Sequence, residues 1–283
     1  MSSPTAQSDL TTSLDASETA DRARRFGGIA RLYGAPALAA FEAAHVAVIG
    51  IGGVGSWVAE ALARSAVGTL TLIDLDNVAE SNTNRQIHAL DGNYGKPKVE
   101  AMAERIAAIN PYCDVRLIED FVEPDNFAAT LGGGFDYVID AIDSVRTKTA
   151  LIAWCVERNQ PLITVGGAGG QLDPTRIRID DLALTIQDPL LSKVRAQLRK
   201  QHDFPRGPKA KFKVSAVYSD EPLIYPEVAV VDVDEDAEPV STSPTGPVGL
   251  NCAGFGSSVC VTASFGFAAA AHVLRALGKQ AAA

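Results

Sequence analysis

The chain has 283 residues and a net charge of −9, with 47% hydrophobic and 21% charged residues, 24 Gly and 15 Pro. That composition supplies a sizeable core and excludes a wholly disordered chain, while the Gly and Pro content excludes an extended coiled coil. The acidic balance excludes a protein that coats nucleic acid through bulk charge and leaves only local basic patches for such contacts.

The first twenty residues are polar and lack the basic start and apolar run of a signal peptide. Residues 1–22 are therefore expected to form a disordered tail, and the protein is expected in the cytoplasm. Arg22–Ala44 reads as helical pieces. His45–Gly50, HVAVIG, is a β-branched run ending in Gly, which predicts a buried parallel strand. A helix follows over Ser56–Ala66 and a second strand over Thr69–Asp74. Pro97–Ile109 places Val99, Met102, Ala103 and Ile106 at helical spacing. Asp114–Ile118 and Asp136–Ala141 read as strands, Thr147–Asn159 as a helix, and Pro161–Val165 as the fifth strand. This alternation predicts an α/β fold whose parallel sheet carries helices on both faces.

The second half changes character. Ile177–Ile179 reads as a strand and Pro189–Gln201 as a helix. KFKVSAVYS and LIYPEVAVV alternate as strands do, and they are expected to continue the sheet antiparallel, giving one mixed sheet. Residues 232–247, acidic and then rich in Ser, Thr, Pro and Gly, read as a surface loop. From Gly246 to Leu277 only His272 and Arg275 bear charge, a length that suits a membrane span. Its density of small and polar residues favours a buried helix instead, so no stable membrane partner is expected and membrane association is the minor alternative. One domain over 23–283 results, with a nucleotide-binding half at 23–170 and a substrate half at 171–283. Cys113, Cys155, Cys252 and Cys260 form no CxxC pair, so neither a Cys-ligated zinc nor a disulfide framework is expected.

Gly50-Ile51-Gly52-Gly53-Val54-Gly55 joins the first strand to a helix. Glycines admit a phosphate close to the backbone, and the helix N-terminus offers free N–H groups, so this is a Rossmann-like nucleotide loop in its required context. Asp74 ends the next strand, where an acid bonds a ribose hydroxyl. An NAD-dependent oxidoreductase would share those features. Three others argue for a triphosphate instead. Asp74-Leu75-Asp76 leads into Ser81-Asn82-Thr83-Asn84-Arg85-Gln86, and Arg is a strong phosphate partner. Gly95-Lys96-Pro97-Lys98 opens a helix with two further cations. Asp140-Ala141-Ile142-Asp143-Ser144 ends a strand with a second carboxylate, suited to Mg²⁺. A non-catalytic scaffold would be expected to lose Arg85 or Asp143.

The order GxGGxG, DxDxVxxSNxxRQ, GxxK and DxxDS, at Gly50–Gly55, Asp74–Gln86, Gly95–Lys98 and Asp140–Ser144, resembles the E1-like (ubiquitin-activating) superfamily, which adenylates carboxylates with ATP and Mg²⁺. The resemblance implies that Gly50, Gly52, Gly53 and Gly55 approach the phosphates and Asp74, with Asp76 beside it, the ribose. It implies that Asn82, Arg85, Gln86 and Lys98 grip the triphosphate and that Asp143 positions Mg²⁺. Arg85, Lys98 and Asp143 are thereby the catalytic candidates. A homodimer is also implied. Members that activate ubiquitin-like sulfur-carrier proteins bear CxxC pairs and a crossover cysteine, which residues 171–220 lack. Such a carrier's C-terminal glycine is the alternative substrate, and a cysteine-desulfurase-linked sulfur acceptor a candidate further partner. The trans-acting arginine of those members meets Gly28 here, leaving Arg25 or Arg31 as substitutes.

RFGGIARLYG, NTNRQIHAL, DAIDSVR, GGAGGQLDPT and TIQDPL together resemble the tRNA threonylcarbamoyladenosine dehydratase branch. That resemblance implies ATP-dependent cyclisation of the threonylcarbamoyl side chain of the adenosine at position 37 of tRNA. Intramolecular attack needs no enzyme nucleophile, although Cys252 is the first candidate for a relay. For a tRNA partner, Lys193, Arg195, Arg199, Lys200, Arg206, Lys209, Lys211 and Lys213 face one acid, Asp203. This net +7 on an acidic chain suggests a backbone-binding patch, with His202, Phe204 and Phe212 as base-stacking candidates. Gly166–Gly170 reads equally as the border of a substrate channel or as a flexible turn between sheet halves.

Overall fold

The computed structural model describes residues 9–207, 209–225 and 255–281, with side chains from Asp21 onward. Helix α1 (Asp9–Tyr33) begins inside the stretch expected as a polar tail. Helix α2 (Ala35–Ala43) leads into β1 (His45–Ile49), α3 (Gly55–Arg64) and β2 (Thr69–Ile73). Then come α4 (Lys98–Ile109), β3 (Asp114–Ile118), α5 (Phe127–Leu131), β4 (Tyr137–Asp140), α6 (Val145–Glu157) and β5 (Leu162–Val165). The second half supplies β6 (Ile177–Asp181), α7 (Pro189–Gln201), β7 (Ser215–Ser219) and α8 (Val259–Gln280).

One seven-stranded sheet runs in the order β3-β2-β1-β4-β5-β7-β6. The central strands are buried on both faces, which is why they read as continuous Val, Ile and Leu runs. The five neighbouring pairs from β3 to β7 are parallel. Only β6 against β7 is antiparallel. The mixed sheet is thus as expected, with one correction: the KFKVSAVYS strand lies parallel to β5. Of LIYPEVAVV, Leu223–Tyr225 forms no strand and the remainder lies outside the described residues, as do the loop at 232–247 and Cys252.

Two apolar layers sandwich the sheet. One holds Phe41, Leu62, Met102 and Phe265; the other holds Phe127, Leu151, Leu191 and Phe212. Helix α8 is long and apolar enough to cross a membrane by length and composition, yet half of its apolar window is buried in the protein. It packs on α3, where Gly266 meets the Trp57 side chain and the Val54 carbonyl with no room for a Cβ. The small residues that weakened the membrane reading are the ones that let the two helices touch.

Candidate active site

The chain winds from β1 outward to β2 and β3, then returns to place β4 and β5 on the other side of β1. This is the topological switch point, where the carboxyl ends of β1 and β4 splay into a crevice. A cavity of about 530 Å³ opens there, within the range of about 300–1,000 Å³ typical of small-molecule sites. Its walls include Gly50, Gly52, Gly53, Asp74, Asp76, Asn82, Arg85, Gln86, Lys98 and Asp143. Of the sequence-predicted nucleotide set, Gly55 alone is absent from the wall. Gly55 is the first residue of α3, and a Cβ there would collide with the Gly50 carbonyl. Gly50 has φ +86°, and a Cβ on it would lie 2.9 Å from the Ala141 carbonyl oxygen. These two glycines let the β1 and β4 loops cross in contact and aim the α3 N-terminus into the cavity.

Asp74 does two jobs. Its Oδ2 accepts the Ile51 amide at 2.6 Å and its Oδ1 the Asp76 amide at 2.9 Å, so it ties the glycine loop to the end of β2. Burial pushes its pKa up, and the neighbouring Lys98 cation opposes that. Lys98, buried at the start of α4, lies 2.6 Å from Asp76 Oδ2 and 3.9 Å from Asp74 Oδ1. Lys96 instead pairs with Glu104 at 2.7 Å and lies off the cavity. The Arg85 chain packs on Gly53. Its Nη1 donates to Ser81 O at 2.7 Å and to Asn84 Oδ1 at 2.9 Å. Trp57 Nε1 donates to the Arg85 carbonyl at 2.9 Å and anchors this loop to α3.

Asp143 is exposed on the cavity wall and makes no ion pair among the described residues. Asp140 is fully buried below it. Lys148 donates to Asp140 Oδ2 at 2.8 Å and to Thr164 Oγ1 at 3.0 Å, while Thr164 donates to Asp140 Oδ2 at 2.7 Å. A charged network thus fixes the carboxyl ends of β4 and β5 beneath the site. Asp188 caps α7 by accepting the Leu191 amide at 2.8 Å, and its other oxygen accepts the Gly167 amide at 2.9 Å. Burial raises its pKa, and the two amides and Lys148 oppose that.

Sequence reasoning missed several wall residues. Phe121, 57% exposed, and Glu123 follow β3. Thr262 enters from α8 and Leu190 from α7. The only legible signal was Gly166–Gly170, whose first three residues do line the cavity. Arg25 and Arg31, the candidates for reaching a partner subunit's ATP, do not line the cavity of their own chain, and Arg25 bonds Asp21 and the Ile109 carbonyl.

The basic segment starts at the cavity. Leu190 lines it and α7 carries the chain away, exposing Lys193 and Lys200; Arg206, Lys209, Lys211 and Lys213 follow, also exposed. Arg199 is partly exposed and stacks on the Phe212 ring at 5.1 Å. Arg195 is partly buried and donates to Thr185 Oγ1. The stacking expectation for Phe204 and Phe212 is corrected: both are buried and meet edge to face at 4.9 Å inside the core. Apolar side chains within a charge run are here the inward face of an amphipathic segment.

The sequence pattern of the ThiF family matches residues 27–282. The chain is 53% identical over 258 residues to the tRNA threonylcarbamoyladenosine dehydratase of Haemophilus influenzae, covering 91% of this chain and 94% of that protein. It is 52% identical to the enzyme of that name from Escherichia coli K12, covering 92% and 95%. Among solved structures, E. coli tRNA N6-threonylcarbamoyladenosine dehydratase in complex with ATP superposes with a TM-score of 0.81 at 50% identity, over 92% of this chain and 96% of that one. With the Rossmann-like switch point, the glycine loop and the Arg85–Lys98–Asp143 cavity in place, the chain belongs to the ThiF family.

Proposed function

We infer that the protein is an ATP-dependent tRNA-modifying enzyme that dehydrates N6-threonylcarbamoyladenosine. The observation that carries this is the cavity itself: a nucleotide-sized crevice walled by Asn82, Arg85, Lys98 and Asp143, in a chain half identical to an enzyme of that name seen with ATP. ATP-dependent loss of water from modified tRNA tests it.

The chemistry follows from the residues. A carboxylate oxygen of the threonylcarbamoyl side chain attacks the α-phosphate of ATP, and pyrophosphate leaves. Negative charge grows on the α-phosphate and on the leaving group, where Arg85, Lys98 and the α3 N-terminus stabilise it. The carbamoyl group of the same side chain then attacks the acyl carbon and expels AMP. The oxygen lost as water thus departs on AMP. Asp74 stands where the ribose hydroxyls would sit. Asp143, an exposed carboxylate on the wall without an ion pair among the described residues, fits Mg²⁺, which would neutralise phosphate charge when bound.

Partner assignments belong to the same reading. The basic run from Lys193 to Lys213 would hold the tRNA backbone, and α7, about 20 Å long at 1.5 Å per residue, leads from it to the cavity. A homodimer rests on the superfamily resemblance alone, and the tRNA-modifying relatives suit a cytoplasmic location. A cysteine-desulfurase-linked sulfur acceptor has less to engage. Burial pushes the Cys113 and Cys155 thiols up to about 12. Among the described residues Cys260 alone is an exposed thiol. The ubiquitin-like tail as substrate is disfavoured by the absence of CxxC pairs and of a cysteine in residues 171–220.

A further inference from the structure

Two buried polar atoms in the cavity wall have no partner among the described residues. Thr262 Oγ1 and Gln86 Oε1 make no hydrogen bond, although Thr262 is 1% exposed and Gln86 6%. Buried hydroxyls and carboxamides are nearly always paired, because water removed from them without replacement is a full desolvation penalty. A threonine in a helix ordinarily bonds back to the carbonyl four residues earlier. In α8 that carbonyl is Ser258, which accepts the Val261 and Thr262 amides and leaves the Thr262 hydroxyl unbonded. Both orphans border the same cavity, and they come from segments far apart in sequence.

The chemistry and place of Thr262 set it apart from the rest of the wall. A triphosphate only accepts hydrogen bonds, and the cations Lys98 and Arg85 with the α3 amides answer it. A hydroxyl both donates and accepts. The threonylcarbamoyl group carries donors and acceptors, in its ureido N–H and carbonyl, its hydroxyl and its carboxylate. Helix α8 packs on α3 and on β5, the side of β1 away from β2 and Asp74. Gly166–Ala168 closes that same side. The nucleoside end of the cavity is marked by Asp74, so the opposite end is left for the acyl substrate.

We propose that Thr262 is a substrate-binding residue that holds the threonylcarbamoyl group at the end of the cavity remote from Asp74. This rests on the dehydratase reading above. Thr262→Val keeps the shape and removes the hydroxyl. It is expected to lower kcat/KM for the modified tRNA by about tenfold, with the Kd for ATP within about twofold of wild type and the melting temperature equal or higher. Thr262→Ser restores the hydroxyl and is expected to restore turnover; Thr262→Ala serves in place of valine should valine not fold. A valine variant with wild-type kcat/KM overturns the proposal. So does a loss of ATP affinity that accounts for the whole defect, which would make the hydroxyl a nucleotide contact. Failure of the wild-type protein to dehydrate the tRNA overturns the functional reading, and the assignment with it.

Discussion

Lys148 Nζ lies 2.8 Å from Asp140 Oδ2, and neither side chain has any exposed surface. Asp140 ends β4 and Lys148 sits in α6, so the pair brackets the loop that carries Asp143. Desolvating both charges is costly, and the geometry offsets it through Thr164 Oγ1 and the Ile142 amide, which donates to Asp140 Oδ1 at 3.1 Å. Removing one partner leaves an uncompensated buried charge. Lys148→Met is expected to reduce the unfolding free energy by roughly 3–5 kcal/mol in urea denaturation, and Asp140→Asn added to it should recover much of that. Wild-type stability in the single variant would contradict the role of the pair.

Arg85→Ala is expected to lower ATP–pyrophosphate exchange, measured with modified tRNA present, by about 10²–10³-fold. The fold should survive, because Trp57 bonds the Arg85 carbonyl, which alanine retains. Asp143→Ala should abolish exchange with an unchanged circular dichroism spectrum. Undiminished exchange in either variant would remove that residue from the site.

Charge reversal at the exposed Lys193, Lys200 and Lys209 is expected to raise the KM for tRNA and leave ATP binding unchanged. Each lost backbone contact should also flatten the dependence of log K on log salt by roughly 0.7–0.9. An unaltered salt slope would place the tRNA elsewhere.

What was legible in the sequence was what is local. Gly50–Gly55 and Asp74 lie at the ends of predicted strands, and Arg85 and Lys98 follow within one loop, so spacing alone brought them to one sheet edge. Thr262, Phe121 and Leu190 reach the same cavity through tertiary packing, which no local spacing encodes. Phe204 and Phe212 were misread because charges flank them; the core beneath α7 takes their rings. Lys148 gave no sequence signal, since a lysine on a helix is ordinarily solvated, and burial against Asp140 is a property of the assembled sheet.

His88 gives the fold a pH dependence. His88 is 1% exposed, and both ring nitrogens lack a partner among the described residues. Burial first, then the Lys98 and Arg105 cations, lowers its pKa to about 4. The unfolded chain binds the proton more readily, so this stabilisation is complete above pH 6.5 and is lost as pH falls towards 4. At about 1.4 kcal/mol per pKa unit, that is a loss of roughly 3 kcal/mol. His88→Leu should lose that much less stability than wild type between pH 6.5 and 4, as read by denaturant titration. Parallel pH profiles would show that the imidazole is already protonated when folded.

Purified protein, ATP and Mg²⁺ are incubated with tRNA bearing N6-threonylcarbamoyladenosine, and the digested nucleosides are weighed by mass spectrometry. The dehydratase reading predicts an ATP-dependent loss of one water from that nucleoside, with AMP and pyrophosphate formed in equal amounts. An unchanged nucleoside from protein that binds ATP would contradict it and turn the cavity over to another carboxylate.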